Sequence, residues 1–404
     1  MPAPTAFLHP FARPARRDYT VIVRGDGALV WDGDGREYVD AMASLWYCAA
    51  GHGRKEIADA VGAQLATLAA YSCFEPFSNQ PADDLADRVV GLVPIPDARV
   101  FLCGSGSEAV DTAIKLVRLT HVLAGDTERT LVISRRRGYH GTNLGGTSAQ
   151  GIEANKQGWG PLVPEIVQVP SDDPEPVAVL MAHRRVAAVI TEPVQGAGGV
   201  YPPPDGYLAE LRRLCDRHGA LLVFDEVITG FGRLGSWFAA DHYGVVPDLM
   251  TFAKAVTSGY QPLGGVVVGE RVRRSLEADP AYVLRHGYTY SGHPAACAAA
   301  LANLAIIERE GLVERAATVG GRLADGLRAL AADGVIAEAR GNGAVWAAGL
   351  HAGHDAAAVR DRMAELGVIT RAIGADTLTF CPPLVVTDAQ IDRIVDALAA
   401  SAVG

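Results

Sequence analysis

Residues 221–265 read LLVFDEVITGFGRLGSWFAADHYGVVPDLMTFAKAVTSGYQPLGG and contain two apolar runs that are each followed by a charged side chain. The first run ends the predicted strand Ala220–Phe224 and leads directly into Asp225. The second, Leu249–Phe252, is followed two residues later by Lys254. Continuous apolar runs of this length are typical of strands in a parallel sheet that helices cover on both faces. We therefore predict an α/β fold with both charged groups at the edge where such sheets bind ligands.

Other parts of the chain repeat this pattern. Further apolar runs predict strands at Arg99–Cys103, Thr130–Ser134, Ala187–Thr191 and Gly265–Val268. Three short β-like runs near the N-terminus, separated by Gly/Asp turns, predict a small antiparallel meander. After an alanine-rich helix around Pro294–Glu310, helix and strand patterns alternate again. We expect an N-terminal arm and meander at 1–54, a large α/β domain at 55–310 and a small α+β domain at 311–404.

The bulk composition restricts the class of partner. The formal net charge is −10, which argues against a nucleic acid, because phosphate backbones need a basic face. No apolar run reaches the roughly 18 residues that span a bilayer, and no secretory signal is evident. The six cysteines and eleven histidines show no metal-binding spacing. We expect a cytoplasmic protein without a metal, and we interpret the basic run Arg135–Arg137 as a solvated strand end.

A glycine-rich loop, Gly104–Ala109 (GSGSEA), follows one predicted strand and opens a helix. Ser105 and Glu108 stand in the S-x-x-E capping arrangement, and the N–H groups of a helix start favour a phosphate. The loop also fits the dinucleotide fingerprint, which needs an acidic residue after the next strand. That strand instead ends in Ser134 and three arginines, so NAD is disfavoured. NADP and a tight turn without a ligand remain as alternatives for the loop alone.

Taken together, the loop, the acid and the lysine indicate a pyridoxal-phosphate site. The loop would hold the phosphate, and Asp225 would keep the pyridine nitrogen protonated. Lys254 would carry the cofactor as a Schiff base, because a desolvated lysine can act as a nucleophile at neutral pH.

The chain also resembles the class III aminotransferases of the type I pyridoxal-phosphate fold. The resemblance rests on residues 221–265, GSGSEAVDTAIKLVR from Gly104, Tyr139-His140-Gly141, EPVQGAGG from Glu192 and TYSGHP from Thr289. It implies a mostly parallel seven-stranded sheet between helices, with a small α+β domain formed by the N- and C-terminal segments. It also implies a homodimer with the active site at the interface, and leaves open whether dimers pair into tetramers.

The resemblance assigns further cofactor contacts. These are Gly106 and Ser107 at the phosphate, Thr289 of the neighbouring subunit at the same phosphate, Tyr139 and Val227 on the two ring faces, and Glu192 near the ring. The implied reaction is a ping-pong transfer of an amino group from an amine or ω-amino acid to a keto acid. An aminomutase on the same fold and, from a different class, an NADP-binding oxidoreductase are the competing hypotheses.

Two departures from the family pattern bear on the substrate. Relatives that act on ornithine or 4-aminobutyrate with 2-oxoglutarate usually have glutamine where this chain has Ile228, and glutamate where it has Ala197. The chain therefore looks like the pyruvate-using ω-aminotransferases, with the 2-oxoglutarate type as the alternative. The resemblance places three residues at the substrate: Trp46, Phe74 from the partner subunit, and Arg371 against a substrate carboxylate.

Overall fold

The computed structural model describes residues 6–402; the first five residues of the predicted arm and the last two of the predicted C-terminal domain lie outside them. The first sheet begins as an antiparallel meander at the N-terminus. Its strands are β1 (Ile22–Asp26), β2 (Leu29–Asp32) and β3 (Glu37–Asp40). The meander agrees with the alternation of short apolar runs and Gly/Asp turns in this part of the sequence.

The central sheet has seven strands. They are β4 (Arg99–Cys103), β5 (Leu131–Arg135), β6 (Ile166–Val169), β7 (Val186–Thr191), β8 (Leu221–Asp225), β9 (Leu249–Phe252) and β10 (Gly264–Val268). Their order across the sheet is β4-β10-β9-β8-β7-β5-β6. All strands run in the same direction except β10, which pairs antiparallel with both β4 and β9. The predicted mostly parallel α/β sheet is confirmed. The apolar-run pattern did not reveal β6, whose residues are only partly buried apart from Val169.

Helices cover the sheets. Their bounds are α1 (Ala43–Trp46), α2 (Lys55–Thr67), α3 (Gln80–Val90), α4 (Gly106–Leu123), α5 (Leu144–Ala149), α6 (Glu175–His183), α7 (Tyr207–His218), α8 (Ala239–Tyr243), α9 (Glu270–Glu277), α10 (Pro294–Arg309), α11 (Leu312–Ala332), α12 (Ala356–Glu365) and α13 (Asp388–Ala402). Short 3₁₀ turns lie at Glu153–Asn155 and Lys254–Val256. Among the described residues, no helix combines the length and the apolar character needed to cross a bilayer.

The C-terminal part joins the N-terminal meander. Its strands are β11 (Glu338–Asn342), β12 (Val345–Gly349), β13 (Val368–Ile369), β14 (Arg371–Ile373) and β15 (Thr377–Phe380). Strand β13 pairs parallel with β3, so the meander and the C-terminal segment share one sheet. Strands β11, β12, β15 and β14 form a separate antiparallel sheet. This arrangement places Arg371, at the start of β14, two residues after the strand that contacts the N-terminal segment.

Aromatic packing supports the edge of the central sheet where β8 and β9 end. The ring of Phe231 lies edge-on to Phe238 and Phe252, with centroids 5.0 and 5.8 Å apart. These three side chains and Phe224 are fully buried. Close packing of this kind leaves little freedom to the backbone that follows each strand, and therefore holds Asp225 and Lys254 in position.

Candidate active site

A cavity of 710 Å³ opens at the carboxyl ends of the parallel strands. Residues that follow β4, β5, β7, β8 and β9 line it, as expected for ligand binding in an open α/β sheet. Eleven residues were predicted for the site, and nine of them line this one cavity: Trp46, Gly106, Ser107, Tyr139, Glu192, Asp225, Val227, Lys254 and Arg371. Thr289 and Phe74 do not line it.

The glycine-rich loop forms one end of the cavity. Ser105 caps α4 by accepting a hydrogen bond from the Glu108 N–H (3.2 Å), and the Glu108 carboxylate accepts one from the Gly104 N–H (2.6 Å). The reciprocal bond of a standard capping box would reach the Ser105 N–H instead. The N–H groups of the first helical turn have no partner within the helix. Apart from the Glu108 N–H, which Ser105 caps, they are therefore available to an anion.

The space around this helix start is tight. A Cβ on Gly106 would lie 2.9 Å from Val227 Cγ1, so only glycine lets the backbone and the Val227 side chain come so close. Gly141 has a φ of +93°, and a Cβ there would lie 2.6 Å from Ser107 Oγ. The same hydroxyl accepts a hydrogen bond from the Thr142 N–H (3.0 Å). Bare backbone, a hydroxyl and a helix dipole together suit a phosphate group.

The carboxylate of Asp225 is buried and held at both oxygens. Oδ2 contacts Nδ1 of His140 at 2.8 Å, and Oδ1 accepts hydrogen bonds from Thr251 Oγ1 (3.1 Å) and the Val227 N–H (3.2 Å). A carboxylate fixed in this way can face a pyridine nitrogen without reorganising. Sequence reasoning quoted His140 within a motif but gave it no role. Its position after β5, next to Tyr139 at the sheet edge, was the available signal.

Lys254 follows β9 and reaches into the same cavity. Burial lowers the pKa of its ammonium group, while the nearby carboxylates of Asp225 and Glu192 oppose that shift. The backbone φ of Lys254 is +50°, a left-handed conformation that a side chain other than glycine rarely adopts. Such strain is commonly found at functional sites, where the surrounding structure enforces it.

Glu192 connects two loops beneath the cavity. Its carboxylate accepts hydrogen bonds from the Tyr139 N–H (2.8 Å) and the Gly196 N–H (3.0 Å), and burial raises its pKa. The guanidinium group of Arg135 donates to the Glu192 carbonyl and stacks on the ring of Tyr207 at 5.1 Å.

The interpretation of residues 135–137 as a solvated strand end was therefore wrong for Arg135, whose side chain is fully buried. Backbone carbonyls and an aromatic ring replace water around its charge.

The cavity is also lined by residues predicted to contact substrate. Trp46 and Arg371 line it, together with Ile228 and Ala197, the two departures from the family pattern. Within residues 6–402, the Arg371 guanidinium has no hydrogen-bond or ion-pair partner. Burial lowers its pKa, and its electrostatic neighbour is Tyr139. Phe11, which the sequence did not single out, also lines the cavity.

Phe74 and Thr289 lie outside the cavity but close to each other. Both are exposed, and a Cβ on Gly287 would lie 2.9 Å from Cε1 of Phe74, so the two segments are in contact. Neither residue lines the cavity of its own chain.

Comparison with known proteins agrees with this geometry. The family model described as aminotransferase class III matches residues 11–401. The β-alanine–pyruvate aminotransferase of Pseudomonas aeruginosa is 38% identical, with 96% of this chain and 92% of that protein covered. The diaminobutyrate–2-oxoglutarate transaminase of Halomonas elongata is also 38% identical, with 93% and 88% covered.

A solved structure resembles the whole chain as well. The crystal structure of an amine transaminase from an uncultivated Pseudomonas species, in its PLP-bound (internal aldimine) form, is 36% identical and superposes with a TM-score of 0.92. The alignment covers 99% of this chain and 98% of that one. This family membership decides against the NADP-binding oxidoreductase. The chain belongs to the class III aminotransferases, enzymes that use pyridoxal phosphate to transfer amino groups between small amines and keto acids.

Proposed function

We propose that this enzyme moves an amino group from an amine or ω-amino acid to pyruvate, with Lys254 and Asp225 as its catalytic residues. The observation that carries the proposal is the guanidinium of Arg371, which has no partner among residues 6–402 and lies in the same cavity as Lys254. A planar guanidinium binds a carboxylate through two parallel hydrogen bonds. Arg371 would thus bind the carboxylate of the keto acid.

The choice of pyruvate rests on the small, uncharged side chains in the cavity. Ala197 offers Arg371 no carboxylate, and Ile228 packs against Gly196, where a Cβ would lie 2.5 Å from Ile228 Cδ1. We expect this apolar filling to favour a short keto acid over one with a second carboxylate. The Pseudomonas aeruginosa relative is named for pyruvate, whereas the Halomonas relative is named for 2-oxoglutarate, which remains the alternative acceptor.

The residues of the site match the parts of the cofactor. Gly106 and Ser107 at the start of α4 would hold the phosphate, and Asp225 would pair with the protonated ring nitrogen. Tyr139 and Val227 would pack on the two ring faces, with Glu192 nearby. When bound, pyridoxal phosphate supplies an aldehyde that condenses with amines and a ring that accepts electrons from the bond being broken.

Lys254 has three tasks in this proposal. Its Nζ would hold the cofactor through the aldehyde in the resting enzyme, give way to the donor amine, and then carry a proton to and from the amine-bearing carbon. Burial lowers the pKa of this amine, so a larger fraction of it is neutral and able to accept a proton. The donor would leave as a carbonyl compound before the keto acid binds, so we expect ping-pong kinetics.

We also propose that the enzyme acts as a homodimer, or a pair of dimers, with each site completed by the partner. Phe74 and Thr289 of one subunit would reach the substrate and phosphate ends of the other's cavity. Several large apolar side chains of the same region are exposed in the single chain, which is typical of a surface buried on association. They are Leu68, Tyr71, Phe77 and Tyr290. A cytoplasmic location is supported by six unpaired cysteines, of which five are buried.

The test is an assay of the purified enzyme with a panel of amines and ω-amino acids against pyruvate and 2-oxoglutarate. We expect alanine to form faster than glutamate. Lys254→Ala should abolish turnover while the protein still folds, and Lys55→Ala, which removes an exposed lysine of α2, serves as the matched control. Near-normal turnover by Lys254→Ala would refute the assignment. Faster formation of glutamate would refute the preference for pyruvate.

A further inference from the structure

The short element α1 (Ala43–Trp46) contains non-helical backbone angles and forms a turn that carries Trp46. Ala43, Ser44 and Trp46 have φ values of +45°, +59° and +69°, all in the left-handed region. A side chain other than glycine is disfavoured there. Three such residues within four positions are stable only if the surrounding structure enforces the conformation.

Asp40 provides this constraint. It is buried, and its Oδ1 accepts a hydrogen bond from the Met42 N–H at 3.0 Å. Its Oδ2 accepts one from the Ser44 N–H at 2.6 Å and lies 2.8 Å from Nε2 of His52. One carboxylate therefore binds two N–H groups of the strained turn, and His52 fixes the orientation of that carboxylate.

His52 and Asp40 are themselves held on the sheet. The backbone of His52 pairs with Gly27, and a Cβ on Gly25 would lie 2.7 Å from the Cβ of His52, so the ring has little room to shift. The Asp40 N–H donates to the Ala28 carbonyl at 2.8 Å.

The C-terminal segment also contacts Asp40. Asp40 pairs with Ile369 of β13, which is two residues before Arg371. Two of the three residues proposed to contact substrate, Trp46 and Arg371, are therefore anchored at the pairing of β3 with β13. A shift of Asp40 would move the turn of Trp46 relative to Arg371.

We propose that Asp40 and His52 are positioning residues that hold Trp46 in the substrate cavity and thereby set the size of amine that the enzyme accepts. This inference rests on the proposed function, in which Trp46 is a wall of the substrate pocket. Neither Asp40 nor His52 lines the cavity. Their influence on the substrate therefore passes through the turn.

The experiment compares two amine donors, 1-phenylethylamine and isopropylamine, with pyruvate as acceptor and the enzyme saturated with cofactor. Trp46→Ala defines the direction in which loss of the wall changes the ratio of the two kcat/KM values. His52→Leu removes the group that orients Asp40, and His52→Gln keeps a donor near the position of Nε2. His183→Leu, an exposed position at the end of α6, is the matched control.

We expect His52→Leu to shift the ratio in the direction of Trp46→Ala by about tenfold, because small displacements of a pocket wall have effects of this size. His52→Gln should restore most of the original ratio, and His183→Leu should leave it unchanged. Asp40→Asn, which keeps one acceptor oxygen, should shift the ratio at least as far as His52→Leu.

Two results would separate the inference from the function on which it rests. If Trp46→Ala leaves the ratio unchanged, Trp46 is not a wall of the pocket and that part of the proposed function fails. If Trp46→Ala changes the ratio while His52→Leu lowers both kcat/KM values equally, the histidine has only a general structural role and the inference fails. Cofactor absorbance and melting temperature, measured for each variant, distinguish both results from a loss of folding.

Discussion

His140 and Asp225 form a buried pair in the wall of the cavity, with Nδ1 and Oδ2 2.8 Å apart and side-chain exposures of 1% and 5%. Besides lining the cavity, the histidine orients Asp225, the acid that is proposed to face the pyridine nitrogen. A buried carboxylate that loses such a partner is left with an unsatisfied acceptor, at a cost of about 1–3 kcal/mol. The pair is therefore a point at which activity can be changed without touching Lys254.

We expect His140→Leu to lower kcat/KM by about 10-fold to 100-fold, the range that corresponds to this energy. The absorbance spectrum of the bound cofactor should change as well, because the environment of its ring nitrogen changes. His183→Leu controls for the loss of a histidine elsewhere. A variant with unchanged kinetics and an unchanged spectrum would show that Asp225 needs no support from His140.

Arg371→Ala should impair use of the keto acid more than use of an uncharged amine, because only the acid has a carboxylate to bind. Loss of a charged hydrogen-bonding group of this kind is expected to lower kcat/KM for pyruvate by about 10-fold to 100-fold. Half-reaction kinetics, measured separately for the amine and for pyruvate, provide the comparison. Arg360→Ala, on α12 of the same region, is the matched control. Equal losses in both half-reactions would contradict the assignment.

The partner's share in each site can be tested with mixed dimers of Lys254→Ala and Thr289→Asp subunits. If Thr289 serves the neighbouring site, one site of the mixed dimer carries both substitutions and the other carries none. Activity should then exceed that of either parent dimer, since the added charge of Thr289→Asp repels phosphate. If Thr289 served its own subunit, each site would carry one substitution and the mixed dimer would stay inactive.

Glu226 predicts a pH dependence of stability. It is fully buried, its carboxylate accepts hydrogen bonds from Thr229 and the N–H groups of Ala239 and Ala240, and burial raises its pKa to about 7. The folded protein therefore binds more protons than the unfolded chain between about pH 4.5 and 7.

The contribution of Glu226 to stability is complete below this window and is lost as the pH rises through it, by on the order of 3 kcal/mol. Glu226→Gln cannot titrate, so the melting temperature of the parent enzyme minus that of the variant should fall from pH 5 to pH 8. A difference that stays constant or rises with pH would contradict the shift. Arg213→Gln, at an exposed position on α7, controls for general effects of pH.

Much of the central sheet follows from local patterns. A strand that is buried on both faces is apolar at nearly every position, so it can be recognised as a continuous apolar run. The runs before Asp225 and Lys254 are strands β8 and β9. Strand β6 lacks such a run, and the antiparallel direction of β10 depends on long-range pairing that no short window contains.

Some residues of the site could likewise be predicted from the sequence, and others could not. Residues that end or follow strands, such as Asp225 and Lys254, could be predicted to lie together because the ends of parallel strands meet at one edge. The burial of Arg135 could not, because it depends on Tyr207 and on carbonyls distant in sequence. The strained turn before Trp46 could not be predicted from the sequence either, since neither Ala43 nor Ser44 favours a left-handed backbone.

The antiparallel strand β10 also limits how the amine of Lys254, the proposed cofactor anchor, can move. Residues 253–263 connect two strands that lie side by side, β9 and β10, so the segment carrying Lys254 is clamped at both ends. Swinging of the main chain cannot bring Nζ to its targets. Rotation about the bonds of a flexible four-carbon stem must do so. The positions that Nζ can reach are therefore limited by the length of the side chain and the fixed Cα of Lys254. A substrate has to place its reacting carbon within this range.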